Sequence, residues 1–280
     1  MTVIDAHHHL WDLGAEVPAW LAAPALAPIR RSYRLADLRR HTGSVGVQAT
    51  VLVQTVPDLD ETRAFLAEAA ASEGLIVGVV GWVDLTDPEL SETLTRLAAG
   101  PGGHLLVGIR HQVQDEDDPR WLLRPEVLRG LAAVASAGLV YDLLVLPHQL
   151  EVAAEAVEAV PEGRFVLDHG AKPPIRQGQL EPWSHGIRRL AGNEHVACKL
   201  SGLITEADWN HWTTADLRPY ANVLLEAFGP QRLMFGSDWP VCELAGTYEQ
   251  VWDAASSLVP ADAREAVFGA TARRWYRLRG

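Results

Sequence analysis

The sequence predicts a (β/α)8 barrel. Eight short apolar runs recur along the 280 residues, and Ala- and Leu-rich helical patterns separate them. Most of the runs are continuously apolar and do not alternate, as expected of strands that helices cover on both faces. The rival is an open doubly wound sheet, which calls for a Gly-rich phosphate loop after the first strand. No such loop follows Val3-Ile4. Residues 1–280 are expected to form a single barrel domain, since barrels commonly reach this length as one unit.

The expected strands are Val3–His7, Ala49–Gln54, Leu75–Val83, Leu105–Arg110, Leu139–Leu144, Arg164–Asp168, His195–Leu200 and Arg232–Gly236. Helices are expected between them. Asp60–Ser72 has acidic residues in its first turn. Asp87-Pro88 supplies an N-cap and first-turn proline for a helix that Gly100 ends. Pro125–Ala137 precedes Gly138, and Pro147–Val160 is stopped by Pro161. Ala215–Phe228 ends at Gly229-Pro230, and Tyr248–Leu258 and Ala261–Tyr276 complete the chain. Three stretches exceed simple connections: 13–46, 170–192 and 202–215. Each begins at the C-terminal end of a strand, where barrel active sites lie, so each is a candidate wall or lid.

Composition narrows the function. A formal net charge of −12 disfavours nucleic acid, whose phosphates need a basic surface. The start is too polar for a secretory signal, and the apolar run 75–83 is too short to span a bilayer. Cys198 and Cys242 form neither a disulfide framework nor a zinc-finger pattern. A soluble, cytoplasmic protein with no membrane partner is expected, and its oligomeric state is left open.

The chemistry gathers at the strand ends. The first strand runs into Asp5-Ala6-His7-His8-His9. On a regular strand His7 and His9 share one face, with Asp5 in line, and His8 points away. Two imidazoles spaced this way can grip one metal ion or one polarised oxygen. Trp82 and Asp84 follow the third strand. Arg110 and His111 end the fourth, and Tyr141-Asp142 lie on the fifth. Asp168, His169 and Lys172 follow the sixth, Lys199 and Ser201 the seventh, and Ser237, Asp238 and Trp239 the eighth. A barrel brings all of these to one mouth. Of Tyr141 and Asp142 only one can face the interior, and Tyr141 is favoured. Lys172 and Lys199 stand where lysines are also commonly solvated. With 10 Trp in the chain, packing is the default for most, although Trp82 and Trp239 at a mouth would suit a sugar ring. The acidic run 115–118 lacks calcium-loop spacing and reads as a solvated loop.

Five stretches taken together resemble the amidohydrolase superfamily. They are Asp5-Ala6-His7-His8-His9-Leu10-Trp11, Gly108-Ile109-Arg110-His111, Leu167-Asp168-His169-Gly170-Ala171-Lys172-Pro173, Cys198-Lys199-Leu200-Ser201-Gly202 and Phe235-Gly236-Ser237-Asp238-Trp239-Pro240. The resemblance follows one order along nearly the whole chain. It points to the branch that hydrolyses sugar lactones of the L-fuconolactone and L-rhamnonolactone kind. It implies that Asp238 takes a proton from the hydrolytic water, that His7 and His9 form the first-strand pair, and that His169 polarises the carbonyl or orients the aspartate. Arg110 or a protonated His169 is the expected oxyanion partner. His7, His9, Trp82, His111, Tyr141, Lys172 and Trp239 are the expected substrate contacts.

The sequence departs from the metal-rich members. Val140-Tyr141-Asp142-Leu143 offers no histidine, and no lysine stands at the fourth or fifth strand end to bridge two metals. Two alternatives stay open: hydrolysis without a metal, or one weakly held Zn²⁺ touching His7, His9 and Asp238. The leading expectation is a hydrolase acting on the cyclic ester of a sugar acid. A metal-dependent non-oxidative decarboxylase and an inactive sugar-acid binding protein are the competitors.

Overall fold

The computed structural model describes residues 2–14 and 18–279. Eight parallel strands pair in sequence order: β1 (Ile4–His8), β2 (Ala49–Val53), β3 (Ile76–Gly81), β4 (Leu106–His111), β5 (Val140–Leu143), β6 (Arg164–Leu167), β7 (Val196–Leu200) and β8 (Leu233–Phe235). The ring closes just past β8, where the Asp238 amide donates to the His7 carbonyl at 2.8 Å and the His9 amide to the Trp239 carbonyl at 2.7 Å. This is the expected (β/α)8 barrel, and all eight expected strands are present.

The helices are α1 (Leu35–Val45), α2 (Leu59–Ala71), α3 (Leu90–Ala99), α4 (Pro125–Ser136), α5 (Leu150–Ala159), α6 (Trp183–Ala191), α7 (Thr214–Phe228), α8 (Tyr248–Leu258) and α9 (Thr271–Trp275). Two of them, α1 and α6, were not expected from the sequence. Gly43 and Gly186 interrupt their patterns, and Gly186 is there for packing: a Cβ would stand 2.8 Å from the Leu150 side chain. The expected helix 261–276 is broken into a 3-10 turn, a π segment (Ala266–Ala270) and α9.

Apolar side chains fill two layers. One lies between the sheet and the helices. The other lies inside the barrel, where Ala6, Val53, Val80, Val140, Val166 and Met234 meet Trp275, Tyr276 and Leu278 of the C-terminal segment, which closes the end where the strands begin. At the opposite end the interior turns polar.

The first strand breaks its own alternation. Pairing of β1 with β2 shifts register between Asp5 and His8, a bulge that reverses the facing of the residues beyond it. Asp5 therefore does not share the face of His7, as regular alternation predicts. It points outward, accepting from the Tyr248 hydroxyl at 2.9 Å and from the amides of His7 (3.1 Å) and Ser237 (2.8 Å). Its role is to tie β1, β8 and α8 together, and burial pushes its carboxyl up to about 6. His8, also outward, pairs with Thr50 Oγ1 at 3.0 Å.

Candidate active site

The bulge aims both His7 and His9 into the mouth. His9 Nδ1 lies 2.7 Å from the Val53 carbonyl. A carbonyl only accepts, so His9 carries its proton on Nδ1 and its Nε2 is an acceptor. His7 Nε2 stands 3.1 Å from that atom, so with both rings neutral His7 donates from Nε2. Its Nδ1 is then free to accept from the Lys199 ammonium at 3.0 Å. Burial first, and the Lys199 charge second, hold His7 neutral well below the usual histidine range.

Asp238 completes the cluster. Its Oδ1 lies 3.5 Å from His9 Nε2, 3.7 Å from His7 Nε2 and 3.9 Å from His169 Nε2. Burial alone would raise its carboxyl, but His169, His9 and Lys172 outweigh burial and keep it below the ordinary carboxylate range. His169 is held by Ser201 Oγ at 2.8 Å from Nδ1. Burial lowers its pKa to about 4, so at neutral pH it is not the protonated imidazolium considered from the sequence. It acts as a neutral Nε2–H donor when Ser201 donates to Nδ1.

Backbone geometry supports the cluster. Asp238, His169 and Lys172 all have φ between 50° and 56°, left-handed values that non-glycine residues adopt at a cost. Two glycines make room beside them. A Cβ on Gly202 (φ 66°) would sit 2.8 Å from His169 Nδ1, and one on Gly236 would sit 2.7 Å from His7 Cβ.

Beneath the histidines lies a buried charge network. Lys199 Nζ contacts Asp142 Oδ2 at 2.5 Å and Asp168 Oδ1 at 2.9 Å, with all three side chains 0% exposed. Arg110 binds Asp168 Oδ2 at 2.9 Å and clamps Gln54 through Nε and NH2. Tyr276 donates to Asp142 at 2.8 Å. Two cations thus face two carboxylates, and Asp168 is held ionised: burial would raise it, but Lys199, His7 and Arg110 lower it further. Lys199 is therefore not solvated. Asp142, not Tyr141, faces the interior, because it pairs in register with inward Arg110. Tyr141 packs outward near Phe165 and leaves the expected substrate contacts.

A cavity of about 460 Å³ opens above this network. His9, Arg110, His169, Lys172 and Asp238 line it, as expected, and His7 lies just below, fully buried. Three other expected contacts do not reach it. Trp82 donates to His111 Nδ1 at 3.0 Å, and His111 in turn donates to Glu116 at 2.7 Å and stacks on Trp121. Alternation along β4 sends Arg110 in and His111 out. Trp239 is buried against Tyr33 and donates to Glu243 at 2.9 Å. All three are packing residues. Two of the long connections and the turn after β4 supply walls that no motif marked: Trp20 and Leu26, then Thr205, Glu206 and Trp209 from the connections, and Gln114 and Asp115 from the turn.

The donor atoms fit one small divalent ion. His7 Nε2, His9 Nε2 and Asp238 Oδ1 are separated by 3.1, 3.5 and 3.7 Å. Ligand atoms around tetrahedral Zn²⁺, at about 2.0–2.1 Å from the ion, stand roughly 3.4 Å apart. Binding there requires His7 to move its proton from Nε2 to Nδ1, where Asp168 Oδ1 waits at 3.3 Å. The other grouping within reach, His7, Asp168 and His169, shares its carboxylate with the Lys199 ammonium, which opposes a cation.

Comparison with known proteins identifies the family. The amidohydrolase family model matches residues 4–278. The chain belongs to that family. It is 40% identical to an L-fucono-1,5-lactonase of Burkholderia multivorans, over 98% of this chain and 96% of that one. A second L-fucono-1,5-lactonase, from Burkholderia ambifaria, is 36% identical over 98% and 95% of the two chains. A crystal structure of a Burkholderia multivorans amidohydrolase with bound Zn superposes with a TM-score of 0.91 at 38% identity, covering both chains fully.

Proposed function

We propose that this amidohydrolase opens a sugar-acid lactone, similar to L-fucono-1,5-lactone, to its open-chain aldonate. The observation that carries the reading is Asp238: an ionised carboxylate on the cavity floor, facing Nε2 of His9 and the ring of His169. Kinship to two L-fucono-1,5-lactonases supports the substrate class.

In the reaction, water held by Asp238 beside the His7–His9 pair attacks the lactone carbonyl carbon and gives one proton to Asp238. The carbonyl oxygen becomes an oxyanion, which His169 Nε2–H and the NH1 edge of Arg110 stabilise. Collapse breaks the bond to the ring oxygen, and the departing alkoxide takes the proton back from Asp238. The products are a hydroxyl and a carboxylic acid on one chain, and the acid releases its proton to solvent to become the carboxylate. Arg110 serves chiefly through its positive field, since Gln54 and Asp168 occupy most of its donors. Zn²⁺ bound by His7, His9 and Asp238 would lower the pKa of the attacking water and polarise the carbonyl. A metal is compatible with the site and is not required by this scheme.

Among the described residues no helix is long and apolar enough to cross a membrane. Both cysteines are free and buried, which fits a reducing cytoplasm. The decarboxylase reading finds less support, since Tyr141 and Asp142 supply no fifth-strand histidine. The test is proton release from a panel of aldonolactones with and without chelator, beside carbon dioxide release from an aromatic carboxylate. Lactone opening is expected. Carbon dioxide release with no lactone opening would reverse the assignment.

A further inference from the structure

The polar groups around the cavity divide into two sets. Thr55, Gln112 and Thr205 are engaged by the protein: Thr55 donates to Glu61, Gln112 to the Thr55 carbonyl at 3.0 Å, and Thr205 to the Gly202 carbonyl at 2.7 Å. Among the described residues, Glu206 and Lys172 line the same cavity with side chains that make no hydrogen bond or ion pair, and Gln114 Oε1 is buried without a partner. A half-buried carboxylate left unpaired is costly unless a ligand uses it.

Glu206 is held rigidly. It ends a 3-10 turn after β7, with its amide on the Leu203 carbonyl at 3.2 Å and the next amide on the Ile204 carbonyl at 3.3 Å. Trp209 Nε1 braces the same turn through the Thr205 carbonyl at 2.8 Å. The Lys172 charge acts on both Glu206 and Asp238, so the three groups share one field across the cavity. A carboxylate accepts hydrogen bonds and donates none. The groups that suit it are hydroxyls, and a second carboxylate repels it, all the more with exposed Asp115 lining the same cavity.

We infer that Glu206 is a specificity-determining residue. Its carboxylate accepts hydrogens from the ring hydroxyls of the lactone, and so selects neutral, polyhydroxylated lactones over hydroxyl-free lactones and over lactones that carry a carboxylate. The inference rests on the lactonase reading and adds the selection rule.

The experiment compares kcat and KM of the wild-type protein and Glu206→Gln on three substrates: an aldonolactone, δ-valerolactone, and a lactone bearing a free carboxylate. Glu206→Asp serves as a second variant that keeps the charge, and thermal melts check that each variant folds. Hydrogen bonds to a charged group are commonly equivalent to about 10- to 100-fold. Glu206→Gln should therefore shrink the aldonolactone preference over δ-valerolactone by about that factor, mainly through KM, and raise relative activity on the carboxylated lactone. Glu206→Asp should retain the rejection of the carboxylated lactone. An equal fall in kcat on all three substrates would make Glu206 part of the chemistry and overturn the selection rule, as would an unchanged preference. Failure of the wild-type protein to open any lactone would instead sink the parent reading.

Discussion

Lys199→Met isolates the contribution of the buried charge network. Met nearly matches the length and volume of the lysine stem, so what is lost is mainly the ammonium and its contacts at 2.5 Å to Asp142, 2.9 Å to Asp168 and 3.0 Å to His7. Removing one partner of a buried ion pair typically costs about 3–5 kcal/mol, because the other charge is stranded. Here the lower end applies. Arg110 still neutralises Asp168 at 2.9 Å, and Tyr276 still donates to Asp142 at 2.8 Å. Asp142 also has an escape, since burial already pushes its carboxyl up to about 6 with Lys199 beside it. A loss near ~3 kcal/mol at pH 8 corresponds to a fall of about 6–12 °C in Tm.

The pH dependence comes from Asp142. Its folded pKa lies above the ordinary 3.8, and loss of Lys199 raises it further. Between those two values the folded variant holds a proton that the unfolded chain has released. The variant therefore loses stability relative to wild type as pH rises, by at most about 1.4 kcal/mol per pH unit. Urea unfolding followed by Trp fluorescence at pH 5 and pH 8 measures this directly. The deficit should be smaller at pH 5, and adding Asp142→Asn should restore part of it at pH 8. A deficit under about 1 kcal/mol, or one equal at both pH values, would refute the claim that Lys199 offsets a stranded buried carboxylate.

Asp238→Asn keeps the side-chain shape but removes the base, so kcat on an aldonolactone should fall about 10²–10⁴-fold while calorimetry still detects aldonate binding. Near-normal turnover would pass the role of base to His9 or His169. Because Asp238 is held below the ordinary carboxylate range and His169 titrates near 4, activity should rise only in the acid region and stay flat through pH 6.5. A clear inflection near 6.5 in kcat/KM would mean that a histidine titrates in the reaction. Gly202→Ala forces a Cβ to within 2.8 Å of His169 Nδ1 at a φ of 66°. It should reduce kcat and cost about 1–3 kcal/mol in unfolding free energy, and unaltered kinetics would show that the His169–Ser201 pairing is dispensable. His111→Ala should lower Tm by breaking the Trp82–His111–Glu116 chain while KM stays near wild type, because His111 does not reach the cavity. A large KM change would return it to the binding site.

Local periodicity made the fold legible because parallel strands buried on both faces are written as continuous apolar runs. The site was legible wherever a residue type carries chemistry at a strand end, as at His9, Arg110, His169 and Asp238. The features that stayed hidden depend on which way a side chain faces. On β5, the sequence favoured Tyr141 over Asp142; the register with Arg110 on β4 reverses that choice. On β1, simple alternation placed Asp5 with His7, and only the bulge between β1 and β2 separates them. Lys199 stayed open between a site residue and a solvated lysine because its partners, Asp142 and Asp168, lie 57 and 31 positions earlier, on β5 and just past β6. Glu206 sits in a connection without a motif, and its significance is a missing partner, which a sequence does not record. The buried network and the unpaired wall have different functions. Lys199 and Asp168 fix the charge and tautomer of His7 from below, so under the proposed mechanism the hydrolytic floor depends on two buried residues that never meet substrate. Glu206 and Lys172 line the cavity above without a hydrogen bond or ion pair to the network. Substrate preference can therefore change through the walls while the hydrolytic floor stays intact, and variants at Glu206 and at Lys199 should combine additively in stability.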